Sequence, residues 1–314
     1  MGLIVSSLQL RLPATSANLG AAFDSAAVAL GFHLTVEAEE AGEFSIRATG
    51  RNADLCSRVK DNLIFETYRN ILAREGRIAV PLALQMDNQI PLGMGCGSSA
   101  AGRLAAIALA SHFGGLGWTS DRILSEACAL EGHPDNAAAC WLGGMVVAAC
   151  EGGTVHAARV EPPGDWRAMV VLPSNPLATS KARAVLPNHY SRADAVANIQ
   201  AAALLGIAFA QGRGDLLRPA MNDRIHQPYR AEICPLLPRL LPLAGSHGIL
   251  GVALSGAGPS VLLILSGEDV VAGASDAVWR AIADPGEAEI FVVRFERRGV
   301  SRSSVVANEL EQAE

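Results

Sequence analysis

One loop constrains this chain more than any other segment. Three glycines, Gly93, Gly95 and Gly97, alternate with other residues just before a run of serine and alanine. Glycine tolerates positive φ and leaves room for a ligand to approach the backbone. A helix that begins near Ser98 would point its free N–H groups and the positive end of its dipole at the same place. These features favour phosphate binding, although a turn before a buried helix could carry the same glycines.

The loop matches neither of two well-known nucleotide-binding motifs. A Walker A loop needs a lysine followed by serine or threonine, and this loop contains no lysine. A Rossmann motif needs a later third glycine and an acidic residue about 20 positions further on. A dinucleotide-dependent oxidoreductase is therefore disfavoured. Positive charge near a phosphate has to come from backbone dipoles, a metal ion or residues elsewhere in the chain.

Length and charge narrow the class of protein. The 314 residues are enough for two domains, and 50% of them are hydrophobic, as in globular proteins. A net charge of −6 argues against a nucleic-acid partner or an anionic membrane surface. No signal peptide or membrane-length apolar run is apparent, and the six cysteines lack C-x-x-C spacing. We therefore expect a cytoplasmic protein with reduced thiols.

Strand and helix patterns alternate along both halves of the chain, which indicates an α/β or α+β fold. Hydrophobic spacing predicts strands over 8–12, 32–38, 44–48, 80–88, 145–149, 168–172, 249–254, 261–265 and 288–294, with a turn at 41–42. It predicts helices over 62–74, 98–113, 120–130, 135–141, 193–210, 216–221, 232–244 and 275–283. A Glu-Pro-Pro-Gly run at 161–164 predicts a linker between two domains.

Four further segments combine polar residues with glycine or apolar neighbours in ways that a plain core would not need. They are 13–24, the Glu-Gly-His-Pro-Asp-Asn hexapeptide at 131–136, 179–183 with its later companion 223–230, and the glycine turn 255–260. Taken singly, each could be an ordinary turn, a helix cap or a solvated arginine.

Taken together with the glycine loop, these segments resemble the GHMP kinases, the small-molecule kinases named for galactokinase, homoserine kinase, mevalonate kinase and phosphomevalonate kinase. The three signatures of that superfamily appear in order, at 13–24, 91–101 and 255–260. The Pro-Ala-Thr-Ser-Ala-Asn-Leu-Gly run, the hexapeptide and a Thr-x-x-x-Arg pattern followed by Pro-Tyr-Arg are most similar to the homoserine kinase branch.

The resemblance implies a fold and a reaction. The fold would be α+β, with an N-terminal ATP-binding domain over 1–160 like domain 2 of ribosomal protein S5 and a ferredoxin-like C-terminal domain over 161–314. The reaction would be ATP-dependent phosphorylation of L-homoserine with Mg²⁺. Another GHMP kinase activity, on mevalonate or a sugar, and a catalytically silent ligand-binding member are the alternatives. The question whether two copies of the chain form a homodimer is left open.

The resemblance also implies roles for individual residues. ATP would be bound by Asn62, Gly256, Gly258 and the loop residues Pro91, Leu92, Gly93, Met94, Gly95, Cys96, Gly97, Ser98, Ser99, Ala100 and Ala101. L-homoserine would be bound by Asn18, Asp24, His133, Asn136, Arg183 and Arg230. Mg²⁺ would be held by Ser98 or Ser99 together with Glu131, or with Glu126 as the alternative carboxylate. The catalytic residues would be Asn136, Glu131, Thr179 and Arg183.

The chemistry of homoserine is consistent with these roles. Its carboxylate suits a bidentate guanidinium, and its ammonium suits Asp24. Asn136 stands where several GHMP kinases have an aspartate base, and an amide cannot accept a proton at neutral pH. We therefore expect direct attack of the hydroxyl on the γ-phosphorus, driven by positioning and electrostatics. The side chain of Asp135 is expected to point elsewhere.

A dipeptide and a single residue depart from the family pattern. Ala21-Ala22 replaces the usual Pro-Gly, which bears on the backbone path that presents Asp24, and Cys96 replaces the usual leucine inside the loop. Cysteine is small and apolar enough to fill the same space. Neither change removes a group with a proposed role.

Overall fold

The computed structural model describes residues 5–307. Its strands are β1 (Val5–Ala17), β2 (Ala26–Glu40), β3 (Ser45–Gly50), β4 (Leu82–Asn88), β5 (Met145–Glu151), β6 (Thr154–Val160), β7 (Arg167–Pro173), β8 (Ile249–Leu254), β9 (Val261–Leu265), β10 (Ala288–Arg294) and β11 (Ser301–Ala307). Its α-helices are α1 (Ala53–Cys56), α2 (Leu63–Arg74), α3 (Ser98–Phe113), α4 (Ser120–Glu131), α5 (Asp135–Leu142), α6 (Thr179–Ala184), α7 (Arg192–Ala210), α8 (Leu217–Ala220), α9 (Gln227–Arg230), α10 (Leu236–Leu240) and α11 (Val271–Ile282).

The first sheet is built around the long strand β2. β1 pairs antiparallel with β2 along one side, and β4 and β5 pair antiparallel with different parts of its other side. β3 lies parallel to β4, β6 forms a hairpin with β5, and β11 joins β1. Helices α3 and α5 pack directly on β1 and β2. The glycine loop that precedes α3 is thereby held against the first sheet.

Helix α3 is buried along most of its length because it is built from small and aliphatic side chains. Its buried residues include Ala100, Ala101 and Leu104, and the same pattern continues to Ser111. Alanine is the best helix former and has no side chain to keep the helix away from its neighbours. Helices α2 and α4 flank α3 on either side, so the position of its first turn is fixed by packing.

The second sheet is antiparallel, in the order β10-β7-β9-β8. Strands β7 and β9 are buried along nearly their whole length. After β10 the chain returns to the first sheet, where β11 pairs with β1. Strands β1–β6 and β11 therefore belong to one sheet and β7–β10 to the other. The domain boundary at 160/161 itself stays a prediction.

The mixed class of fold predicted from the sequence is confirmed, but some elements were predicted wrongly. The strand predicted to end before Pro13 continues to Ala17, because a register shift between Pro13 and Ala14 accommodates the missing N–H donor. The helix predicted over 232–244 is reduced to α10 and a short 3-10 turn (Leu241–Leu243), because Pro235 stands at the N-terminal end of α10 and Pro242 interrupts the helix after its C-terminal end. β3 pairs with β4 rather than with β2, and β6 and β11 were not predicted.

Among the residues that the structure describes, α7 alone has the length and apolar composition of a membrane-crossing helix.

Candidate active site

The glycine loop is held tightly between β1 and the turn at 255–258. Gly97 and Gly95 have φ of 73° and 75°. A Cβ on Gly97 would lie 1.9 Å from Oγ1 of Thr15, and one on Gly95 would lie 2.2 Å from the carbonyl oxygen of Ser255. The N–H of Thr15 donates to the carbonyl of Cys96, and the hydroxyl of Ser255 donates to the carbonyl of Gly95. Only glycine fits at these two positions, since both the conformation and the space exclude a side chain.

Beside the loop lies a cavity of about 420 Å³, here called the polar cavity. Residues from the loop, from the connection between β1 and β2, and from α3 to α6 and α9 meet in it. Its lining consists of Asn18, Asp24, Gly93, Gly95, Gly97, Ser98, Ser99, Ala100, Arg103, Glu131, His133, Asp135, Asn136, Leu177, Thr179, Arg183, Arg230, Gly256 and Ala257. All of the predicted homoserine-binding residues are among them.

A second cavity, of about 790 Å³ and here called the apolar cavity, lies on the other side of the loop. Its walls include Leu55, Val59, Ile64, Met86 and other residues of α1, α2 and β4. The two cavities share Ser98 and Ser99, so they meet at the first turn of α3.

Asn62 lies on the wall of the apolar cavity. Its side-chain oxygen accepts hydrogen bonds from the N–H groups of Ile64 and Phe65 and so caps α2, and its amide donates to the carbonyl of Cys56. The described contacts of this side chain are therefore structural. They shape the wall of the cavity.

Asp24 and Arg183 form a bidentate ion pair inside the polar cavity. Nη1 and Nη2 of Arg183 donate to the two carboxylate oxygens of Asp24 at 3.0 and 2.8 Å. The N–H of Asp24, a residue with φ of 53°, donates to the side-chain oxygen of Asn18. The amide of Asn18 donates in turn to the carbonyl of Gly256. The structure thus brings Asn18, Asp24 and Arg183 together in one cavity, and their roles in binding substrate stay predictions.

A side chain of α7 holds the backbone that presents Asp24, although Ala21-Ala22 departs from the family pattern. The amide of Asn198 donates to the carbonyl of Ala21 at 2.6 Å, and its oxygen accepts from the N–H of Arg224. Sequence reasoning missed Asn198. Its only signal was a polar residue on a largely apolar helix.

Arg230 is fully buried and is held by a network that the sequence did not reveal. Its Nε donates to the carbonyl of Ala182, and its Nη1 donates to Nδ1 of His226 at 3.1 Å. Nε2 of His226 lies 2.8 Å from the carbonyl oxygen of Gly20 and donates to it. Burial lowers the pKa of His226. A neutral ring with its proton on Nε2 fits both contacts, because Nδ1 then accepts from the guanidinium.

An aromatic ring separates the two arginines of the site. The ring of Phe23 lies 5.6 Å from the guanidinium carbon of Arg183 and 5.4 Å from that of Arg230, and it stacks on His226. Distances below about 6 Å allow cation–π attraction. Phe23 therefore reduces the cost of holding two cations close together.

His133, Asp135 and Asn136 form a connected cluster at the start of α5. Nδ1 of His133 lies 2.5 Å from Oδ1 of Asp135, which also accepts from the N–H of Asn136. Burial acts to lower the pKa of His133, but the hydrogen bond and charge of Asp135, with the charge of Asp24, outweigh it, so this pKa is raised.

The expectation that Asp135 points elsewhere is wrong. Its carboxylate lines the polar cavity and lies within 4.8 Å of ligand atoms of Asp24 and His133, because the short helix α5 starts at this residue.

The orientation of Asn136 is set by β1. The hydroxyl of Thr15 donates to Oδ1 of Asn136 at 2.7 Å. The side chain therefore offers its NH₂ group, as a donor, to anything else in the cavity.

Glu131 is the last residue of α4, and its side chain contacts the first turn of α3. The hydroxyl of Ser99 donates to Oε1 of Glu131 at 2.8 Å, and Nε of Arg103 lies 2.9 Å from the same oxygen. Hydroxyl and carboxylate oxygens are the ligands that Mg²⁺ prefers, so these residues fit a magnesium ion. The alternative carboxylate, Glu126, is outside the polar cavity, where Nη1 of Arg74 lies 2.7 Å from it.

Comparison with known proteins identifies the family. The family model for the N-terminal domain of GHMP kinases matches residues 62–144, and the model for their C-terminal domain matches residues 206–283. The chain is 46% identical to the homoserine kinase of Solibacter usitatus over 259 residues, which cover 82% of this chain and 85% of that protein. The chain belongs to the GHMP kinases.

Other relatives of this GHMP kinase agree. The homoserine kinase of Deinococcus radiodurans is 39% identical over 80% of this chain and 82% of its own. A crystal structure of homoserine kinase from Cytophaga hutchinsonii superposes with a TM-score of 0.79, at 23% identity, over 95% of this chain and 97% of that one. The predicted two-domain GHMP kinase fold is confirmed.

Several predicted ATP-binding residues of this GHMP kinase line neither cavity. Cys96 is buried, and burial raises the pKa of its thiol to about 12. A Cβ on Gly258 would approach Sγ of Cys234 rather than a cavity. The predicted residues outside both linings are Pro91, Met94, Cys96, Ala101 and Gly258. Direct contact with ATP stays a prediction for these five residues.

Proposed function

We propose that this GHMP kinase transfers the γ-phosphoryl group of ATP to the hydroxyl of L-homoserine, in the cytoplasm and for threonine biosynthesis. One observation carries this proposal. A carboxylate and a guanidinium, Asp24 and Arg183, face each other in the cavity that the glycine loop borders. An amino acid needs both charges, and the phosphate cradle supplies the donor side of a kinase site.

The substrate takes the place of the ion pair. The ammonium of homoserine replaces Arg183 at Asp24, and its carboxylate replaces Asp24 at Arg183, with Arg230 behind it. The side chains of Asp24 and Arg183 are 30% and 40% exposed. An ion pair of that exposure contributes about 0–1 kcal/mol, so it opens at little cost. Charge-assisted bidentate contacts to the substrate then compensate for it.

The nucleotide occupies the other side of the loop. The apolar cavity offers aliphatic walls for an adenine base, and the N–H groups at the start of α3 face the phosphates. Glu131 with Ser98 or Ser99 would hold Mg²⁺, which neutralises charge on the β- and γ-phosphates when bound. Since both cavities meet at Ser98 and Ser99, the γ-phosphate would lie between the base and the amino acid.

Phosphoryl transfer proceeds without a protein base in this proposal. The hydroxyl oxygen of the substrate bonds to the γ-phosphorus as the bond from that phosphorus to the departing ADP oxygen breaks, and the hydroxyl proton passes to an oxygen of the transferred phosphoryl group. Asn136 presents NH₂ to the cavity because Thr15 occupies its oxygen, so it can orient a hydroxyl or a phosphate oxygen but cannot take a proton. Thr179 and Arg183 lie on α6 at the same cavity. Positioning and electrostatic stabilisation supply the acceleration, as in other phosphoryl transfers.

The two alternatives fit the site less well. Mevalonate has a carboxylate but no ammonium, and a sugar has neither, so each would leave buried or half-buried charges without a partner. A silent ligand-binding member would not need the loop, Ser99, Glu131 and Asn136 together. The relatives named above are homoserine kinases, which supports the same choice.

ADP release with L-homoserine, mevalonate, galactose or no acceptor tests this function. We expect turnover with L-homoserine only. Turnover on mevalonate but not on homoserine would overturn the substrate, and absence of turnover with all acceptors would favour the silent member.

A further inference from the structure

A third cavity, of about 640 Å³ and here called the basic cavity, lies where the two sheets meet. Its walls come from β1, from β2, from the linker at 162–166 and from the end of β10 with the connection that follows it. Of the residues that the structure describes, none lines both this cavity and the polar or the apolar one. Its volume is within the range of small-molecule sites.

Four exposed arginines line the basic cavity, and a carboxylate of the described part of the chain forms an ion pair with none of them. This is unusual in a protein where 31 acidic residues outnumber 25 lysines and arginines. Two neighbouring arginines do pair, Arg159 with Glu161 and Arg167 with Glu268. The four that do not are Arg11, Arg294, Arg297 and Arg298.

The carboxylate in the wall of the basic cavity, that of Glu296, is already engaged by neutral donors. Its Oε2 accepts from Nε2 of His33 at 3.1 Å, and its Oε1 accepts from the backbone N–H of Arg298 at 3.0 Å. Nδ1 of His33 accepts from Nη2 of Arg11 at 2.9 Å. Burial and the charge of Arg11 lower the pKa of His33, so its ring is neutral. The guanidinium charges therefore outnumber the carboxylate charge and stay free for an anion.

The chemistry of the walls fits a phosphate group attached to an organic body. Guanidinium groups bind phosphate through paired, charge-assisted hydrogen bonds, and like charges held close together repel each other until an anion lies between them. Pro162, Trp166 and Phe295 add apolar surface beside the arginines. An inorganic ion would leave this apolar surface unused.

The surroundings of the basic cavity favour a small molecule over a nucleic acid or a membrane. Glu161 and Asp165, both exposed, lie on the linker that forms one wall, so positive charge is confined to the cavity itself. The net charge of −6 repels an extended polyanion.

We propose that the basic cavity binds a small organic molecule that carries a phosphate group, and that Arg11, Arg294 and Arg298 contact this group. The inference is independent of the proposed function, because the basic cavity is separate from the polar and the apolar cavity.

Modification of arginines by phenylglyoxal, mapped by mass spectrometry of peptides, tests the site on the intact protein. Phenyl phosphate is the probe, and the concentration that halves the modification rate of Arg11 measures binding in this cavity alone. We expect protection of Arg11, Arg294 and Arg298, but not of Arg77 and Arg192, which are exposed and line none of the three cavities. Sodium chloride at the same ionic strength should not protect.

A pair of double variants with equal net charge tests the contacts. Arg294→Gln with Arg298→Gln should raise the half-protecting concentration at Arg11 by at least about 10-fold, because two charge-assisted hydrogen-bonding groups are lost. Arg77→Gln with Arg192→Gln should leave it unchanged. Both double variants should keep the KM for ATP of the parent, which separates this site from the glycine loop.

Three results would overturn the proposal. Equal protection of Arg11 and Arg77, or equal effects of the two double variants, would mean that the anion binds to general surface charge. Inorganic phosphate as effective as phenyl phosphate would mean an adventitious ion only, since we expect it to need at least about 10-fold higher concentration. Protection by phosphatidylglycerol vesicles or RNA, without protection by phenyl phosphate, would replace the small molecule with a macromolecular partner.

Discussion

At the scale of single residues, the site depends on pairs of charges that neutralise each other until a substrate arrives. Asp24 with Arg183 and Asp135 with His133 are two such pairs in one cavity. The sequence predicted three of these four residues for the substrate, because the motifs around them are specific. The prediction for Asp135 was wrong, because the direction of its side chain depends on the residue at which α5 begins.

His133 should make stability depend on pH in a definite direction. Its pKa is raised in the folded protein above the ordinary value of 6.5, despite burial, chiefly by Asp135. The folded state therefore binds this proton more tightly than the unfolded state. The resulting stabilisation is complete below the unfolded pKa and is lost as the pH rises through the folded one.

Urea unfolding of the parent and of His133→Gln checks this dependence. At about pH 5.5 the free energy of unfolding of the parent should exceed that of His133→Gln. The difference between the two proteins should decrease towards about pH 9. A gap that stays constant over this range would mean that the ring contributes by packing alone.

The roles of Asn136 and Asp135 in the reaction can be separated by substitution. Asn136→Ala should lower kcat by about 100-fold, the usual effect of removing a positioned donor. Asp135→Asn should lower kcat by less than about 10-fold, whereas loss of a general base costs about 10²–10⁴. Steady-state kinetics at saturating ATP and homoserine measure both values. The reverse order of effects would show that Asp135 takes the proton of the hydroxyl.

At the scale of elements, the glycine loop and α3 were the most predictable part of the fold. The start of α3 at Ser98 and its end at Phe113 agree with the sequence prediction, because glycines bound an unbroken alanine-rich run on both sides. β6 and β11 escaped prediction for the opposite reason. Most side chains of β6 are exposed, so it lacks the alternation that marks a half-buried strand, and the sequence of β11 is largely polar.

Gly97→Ala should damage the loop far more than the same change at a matched glycine. Gly115 also has positive φ, 61°, but a Cβ there meets nothing within 4 Å. Gly115→Ala should cost about 1 kcal/mol from backbone strain. Gly97→Ala adds the collision with Thr15, so it should cost more and raise the KM for ATP at least about 10-fold.

Thermal or urea unfolding together with the KM for ATP distinguishes the two glycine variants. Gly115→Ala should keep the KM of the parent. Equal effects of both substitutions on this KM would mean that the loop does not contact the phosphates.

At the scale of the whole molecule, the site is assembled from segments that lie far apart in the sequence. Asp24 follows β1, Asn136 lies on α5, Arg183 lies on α6 and Arg230 lies on α9. Motifs indicated that these residues act together, but no local pattern could show the partners that hold them. Asn198 and His226 act through contacts with Ala21, Gly20 and Arg230, and such contacts exist only once the chain has folded.

The sharpest test of the account compares kcat/KM for L-homoserine with kcat/KM for 4-hydroxybutanoate, which keeps the hydroxyl and the carboxylate but lacks the ammonium. A charge-assisted hydrogen bond contributes about 1.5–3 kcal/mol, which corresponds to about 10–100-fold. We predict a preference for homoserine in that range or above, and its loss in Asp24→Asn. Equal values of kcat/KM for the two compounds in the parent enzyme would contradict the claim that Asp24 and Arg183 together select an amino acid.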